Sequence, residues 1–134
     1  MSRPTDQREP GAFPTTEPSV EVLDVAVLQD LLASLTDPVA VAALYRKFVV
    51  NAAEFIGELP HQDAAARIET LHTLKGSAAM LGAKSLAVLA AHRQAQAESS
   101  SIQVAQTIEE LTAELAQFRA AAEAQLRAVG AGGL

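Results

Sequence analysis

The sequence predicts an all-α fold: an antiparallel up-down-up-down four-helix bundle with an additional N-terminal helix capping it. Three observations carry this expectation. Of the 134 residues 49% are apolar, but Ala and Leu supply most of them and aromatic residues only 4%, a profile that favours helix over strand. Apolar residues recur at steps of three and four along the chain, and no alternation of period two competes. Gly and Pro concentrate at the two ends of the chain and leave the periodic stretches between them largely uninterrupted.

A chain of 134 residues has room for one well-buried core, so a single domain is expected. Residues 1–19, rich in Pro, Thr and Glu and poor in large apolar groups, read as a disordered N-terminal arm. The folded domain spans residues 20–129, and the glycine-rich residues 130–134 read as a flexible C-terminal tail.

Each helix has its own start and stop. Asp24 caps a short first helix whose Leu28, Leu31, Leu32 and Leu35 share a face and which ends near Thr36. Asp37 followed by Pro38 restarts the helix, with the carboxylate on free N–H groups and proline at the first helical position. This second helix runs to about Leu59, and Val41, Leu44, Tyr45, Phe48, Ala52, Phe55, Ile56 and Leu59 form its broad core stripe. Pro60 stops it. Asp63 caps the third helix, on which Ala64, Ile68, Leu71, Leu74, Ala78 and Leu81 share a face, and Gly82 is placed to end it.

The fourth helix, about Lys84 to Glu98, has a weaker stripe of Leu86, Leu89, Ala90 and Ala97, interrupted by Arg93. Ser99, Ser100 and Ser101 mark the next turn, and Ser100 with Gln103 reads as a capping box. The fifth helix carries a seam of Val104, Ile108, Leu111, Leu115, Phe118, Ala122 and Val129, expected to be spent on the core of a monomer rather than on a coiled-coil dimer. Short connections force helices two to five to lie antiparallel to one another.

Composition also bounds function. A net charge of -6 without any Lys/Arg cluster argues against nucleic acid or an anionic membrane as partner, since both demand a basic face. The absence of cysteine removes disulfides, thiolate nucleophiles and zinc fingers. The first twenty residues lack the apolar core of a signal peptide and no stretch reaches membrane-spanning length, so a cytoplasmic protein is expected.

The chemistry is concentrated on the third helix. At about 100° per residue, His72 lies beside the buried stripe rather than within it, and Lys75 and Gly76 follow one turn later on the same flank. Ala65 and Ala79 fall on that flank too, leaving the imidazole among neighbours with little side chain, so that a partner could dock over Ala65, Ile68 and Ala79. Glycine inside a helix costs about 1 kcal/mol relative to alanine, so Gly76 wants a reason, and room beside His72 is one. A histidine suits a reversible phosphoryl carrier because a neutral ring nitrogen is free to attack phosphorus near pH 7. Lys75 can neutralise part of the incoming charge. No nucleotide-binding loop is present, and no acidic cluster shares the face to hold Mg²⁺, so that ion would come from the partner.

The segment His72-Thr73-Leu74-Lys75-Gly76-Ser77, followed by Leu81-Gly82-Ala83 and preceded by Asp63 nine residues before the histidine, resembles the signature of the histidine-containing phosphotransfer (HPt) domain family. With helix order included, the resemblance covers roughly Val22 to Val129. It implies that His72 accepts a phosphoryl group from an aspartate on a response-regulator receiver domain and passes it to another, with Lys75 and Gly76 beside it, without kinase activity of its own. A hybrid sensor histidine kinase and receiver domains are the implied partners. Two departures bear on partner preference: Arg93-Gln94 stands where many relatives have Leu-Glu, and Met80 where the residue is often polar. A second reading keeps the bundle as a non-catalytic adaptor that binds a kinase or response regulator without being phosphorylated. His61 and His92 lack a comparable setting and read as surface residues. His61 would sit three turns, about 16 Å, from His72, too far for joint metal ligation. No metal site is expected.

Overall fold

The computed structural model describes residues 20–100, 102–132 and 134. The N-terminal arm, Ser101 and Gly133 lie outside these residues. Five α-helices follow one another: α1 (Val25–Leu35), α2 (Pro38–Glu58), α3 (Ala64–Met80), α4 (Lys84–Ser99) and α5 (Val104–Ala128), with a 3-10 turn at Leu59–His61 joining α2 to α3.

Three helix starts follow directly from short carboxylates. The Asp24 side chain accepts from the Ala26 N–H at 3.1 Å, Asp37 from Val39 at 3.0 Å and Asp63 from Ala66 at 2.8 Å, each satisfying a donor that the first turn leaves unpaired. Pro38 occupies the first position of α2. The expected capping box at α5 does not form. Gln103 itself is the residue before the helix and makes no side-chain cap, while Ser100 ends α4 with its hydroxyl donating to the Gln96 carbonyl. Because α4 continues to Ser99, Ser100 serves as its C-terminal cap and is not free to start α5.

Helices α2 to α5 close into a four-membered ring, α3 against α4 most extensively, with α2 also packed on α5 and α1 on α2. Phe118 of α5 centres the core, stacking on Tyr45 at 5.9 Å between ring centroids and meeting Phe48 edge-on at 5.5 Å. The Tyr45 hydroxyl donates to the Leu81 carbonyl at 3.0 Å. Burial, reinforced by the negative charge of Asp24, pushes the pKa of that hydroxyl up to about 12, so it remains a donor at neutral pH.

The first helix caps one end of the bundle through backbone contacts at the α3–α4 turn. The Asp24 N–H donates to the Gly82 carbonyl at 2.7 Å and the Ser85 N–H to the Glu21 carbonyl at 3.0 Å. Gly82 has a positive φ of 76°, and a Cβ there would meet the Asp24 carbonyl oxygen at 3.0 Å. Both the left-handed turn and the close approach of α1 therefore require glycine.

Several stripe assignments shift at helix edges. Leu35 is exposed because α1 ends there, and Leu44 and Phe55 lie at the rim of a groove rather than in the core. On α3, Ala64 is exposed and Ile68 half-buried. Val129 is exposed and Leu126 takes its place in the α5 seam, one turn earlier. Arg93, the break in the α4 stripe, is mostly shielded and bonds Glu110 of α5, with its Nε at 2.8 Å. Thr107, also buried, joins that seam although it is polar. Beyond α5 the chain turns back: the Ala131 N–H donates to the Leu126 carbonyl, and the Leu134 N–H to Glu123 at 3.1 Å.

Candidate functional site

The flank of α3 that faces away from the core carries the candidate site. Leu71, Leu74 and Ala78 are fully buried and fix the rotation of the helix, which leaves His72 exposed beside them. Lys75 and Gly76 follow at the three- and four-residue spacings that place side chains next to one another. Gly76 is exposed. Lys75 is half-buried. Among the described residues neither His72 nor Lys75 is held by a side-chain hydrogen bond or ion pair. Glu69, one turn before His72, is exposed and places a carboxylate near the same side, so the local field around the imidazole is mixed rather than uniformly positive.

Gly76 gives the site its most informative contact, which is none. A Cβ built there meets nothing within 4 Å, so close packing against another helix does not explain the residue. Glycine in this position costs the helix about 1 kcal/mol relative to alanine and returns nothing inside the molecule. The space it leaves faces solvent beside His72.

The other residues expected at the site divide. Ala65 and Ala79 are exposed on the His72 flank as their spacing required, while Ile68 is half-buried. His61 and His92 are both exposed, His61 in the 3-10 turn and His92 on α4. Among the described residues no group of three His, Asp or Glu side chains is placed to hold a metal ion, and no helix is long and apolar enough to cross a membrane.

One feature on this side of the molecule escaped the sequence reading. A groove of about 310 Å³ runs between α2 and α3, with Leu44, Phe48 and Phe55 on one wall and Ser77, Met80 and Leu81 on the other. Lys47 is the single charged residue lining it. Met80 is 77% exposed. The signal available in the sequence was the width of the α2 apolar stripe, which exceeds what one core-facing strip of helix can bury.

The Hpt domain family model matches residues 43–125, which include all of α3 and α4 and most of α2 and α5. The chain is also similar to a solved structure, the histidine-containing phosphotransfer protein B (HptB) of Pseudomonas aeruginosa PAO1. The two share 26% sequence identity and superpose with a TM-score of 0.70, over 81% of this chain and 97% of that one. No curated protein matches the sequence.

Proposed function

The chain belongs to the Hpt domain family, and from that premise we propose that it carries a phosphoryl group on His72 between receiver domains of a phosphorelay. The observation that supports this reading best is the conjunction at one exposed flank of α3: an open imidazole and a glycine whose missing side chain no internal contact explains.

Transfer requires an imidazole nitrogen in line with phosphorus and a receiver aspartate leaving on the opposite side. The P–N bond forms as the P–O bond of the acyl phosphate breaks, and the ring's other nitrogen keeps its proton. Phosphoryl transfer of this kind depends on positioning and charge neutralisation more than on covalent help from side chains. Lys75, one helical turn from the acceptor, can supply positive charge without imposing the fixed geometry of an arginine fork. Mg²⁺ and most of the remaining charge neutralisation come from the receiver. The upstream donor fits a hybrid sensor histidine kinase, acting through its receiver, and the chain has no kinase role of its own. We place it in the cytoplasm as a monomer.

Incubation with a purified, phosphorylated receiver domain and Mg²⁺ tests this. The expected result is label on the chain that is stable to base and lost in acid, as a phosphoramidate is. Absence of such label with every receiver that phosphorylates efficiently would leave only the adaptor reading, in which the bundle binds without being modified.

A further inference from the structure

We propose that the polar cavity between the end of α4 and the start of α5 binds a small oxyanion, a carboxylate or phosphate group. The first-turn N–H groups of α5, the Thr107 hydroxyl and the Arg93 guanidinium hold it.

The cavity has a volume of about 230 Å³ and lies at the α4–α5 end of the bundle, the length of α4 away from the turn that α1 caps. Ile102 is the one apolar side chain among the described residues that line it. At about 30 Å³ for each water, the space suits a metabolite of a few non-hydrogen atoms and is too small for a drug-sized ligand.

Thr107 is the residue that calls for a ligand. It is 2% exposed and lines the cavity, yet among the described residues its hydroxyl makes no hydrogen bond. Its backbone N–H is already spent on the Gln103 carbonyl at 2.9 Å. A buried hydroxyl without a partner is destabilising, whereas valine would fill nearly the same space with nothing to satisfy. The fold spends a polar group here for no return inside the protein.

The start of α5 supplies donors beside it. Gln103 makes no side-chain cap, so the N–H groups of Val104, Ala105 and Gln106 have no acceptor among the described residues. They lie about one turn, roughly 5 Å, from Thr107, at the end of the helix where the backbone dipoles leave partial positive charge.

Arg93 completes the set. Its Nε and one terminal nitrogen donate to Glu110 and the other terminal nitrogen to Gln96, which fixes the guanidinium and leaves an N–H on each terminal nitrogen for a ligand. Glu110, the one carboxylate in the lining, is balanced by Arg93 and also accepts from the Gln106 side chain at 3.3 Å. The partial charge of α5 is what remains uncompensated, so the cavity selects an anion over a cation.

Titration of the whole chain, labelled with ¹⁵N, against malonate and separately against inorganic phosphate tests the proposal. The expected result is saturable movement of the Val104, Ala105, Gln106 and Thr107 amide signals with at least one of the two, beyond that caused by chloride at equal ionic strength. A response to malonate alone assigns the site to carboxylic acids, and a response to phosphate alone to phosphate or its esters. Thr107→Val should weaken half-saturation about tenfold, the size of one hydrogen bond to a charged group. In buffer free of both anions the same variant should melt at a higher temperature than wild type, because the unpartnered hydroxyl is gone. Signals that move no further than in chloride with both anions overturn the proposal. So does a Thr107→Val chain that binds as tightly as wild type, or one that melts lower without ligand, since its hydroxyl would then have had a partner in the protein.

Discussion

His72→Gln is expected to take up no label from a phosphorylated receiver and none from phosphoramidate, while folding and partner binding persist. The amide matches part of the imidazole's size and hydrogen-bonding capacity but has no nucleophilic nitrogen. Because His72 is exposed and bonded to nothing else among the described residues, its replacement should change stability by no more than about 0.5 kcal/mol. Binding of the receiver, measured by calorimetry, should fall no more than a few fold, since the imidazole is one contact among many. This separates carrier from adaptor. A protein that works by binding alone would signal normally with glutamine in this position, whereas a carrier would bind and fail. Label on the variant equal to that on the wild type removes His72 from the chemistry.

Gly76→Leu should move stability and transfer in opposite directions. Leucine restores the helix propensity that glycine gives up, about 0.8 kcal/mol, and the Cβ it adds meets nothing within 4 Å. The thermal midpoint should therefore rise, by about 3 °C for a domain of this size. On the functional side, a branched side chain one turn from His72 stands where a partner's loops must close over phosphorus. A misplacement of about 1 Å in a reaction that depends on alignment costs on the order of 10²-fold, and a loss of about that size is expected in transfer from the receiver. Phosphoramidate, a far smaller donor, should label the variant at near the wild-type rate. Transfer from the receiver at the wild-type rate would show that the space beside the histidine has no role in docking.

The bundle was legible in the sequence because its signals are local. Three aspartates at helix starts, Pro38 after Asp37 and Gly82 at the α3–α4 turn each act within a few residues, and each sits where its short-range chemistry put it. The α5 start was misread for the complementary reason. Ser100 and Gln103 have the spacing of a capping box, but whether the box forms depends on where α4 stops, and α4 runs one residue further than its weak stripe suggested. Helix edges are likewise not decided by periodicity: Ala64 opens α3 and Val129 caps the end of α5, and both are exposed although their spacing matches the core stripe.

The candidate site divides along the same line. His72, Lys75 and Gly76 lie within one turn of one helix, so their common flank followed from 3.6-residue periodicity alone. The emptiness around Gly76 did not, because it depends on what the other helices leave uncovered. Nor did the groove, which exists only once α2 and α3 are side by side. Leu44 and Phe55 read as core in one dimension, and only packing shows that they are its rim.

The position of the phosphoryl group after transfer from a receiver bears most directly on whether His72 is the carrier. Trypsin cleaves after Arg67 and Lys75, freeing residues 68–75 with His72 as their single histidine. Mass spectrometry of the digest, kept alkaline to preserve a phosphoramidate, should find one phosphoryl group per chain, confined to that peptide. Phosphate on the peptides that carry His61 or His92, with residues 68–75 unmodified, would contradict it.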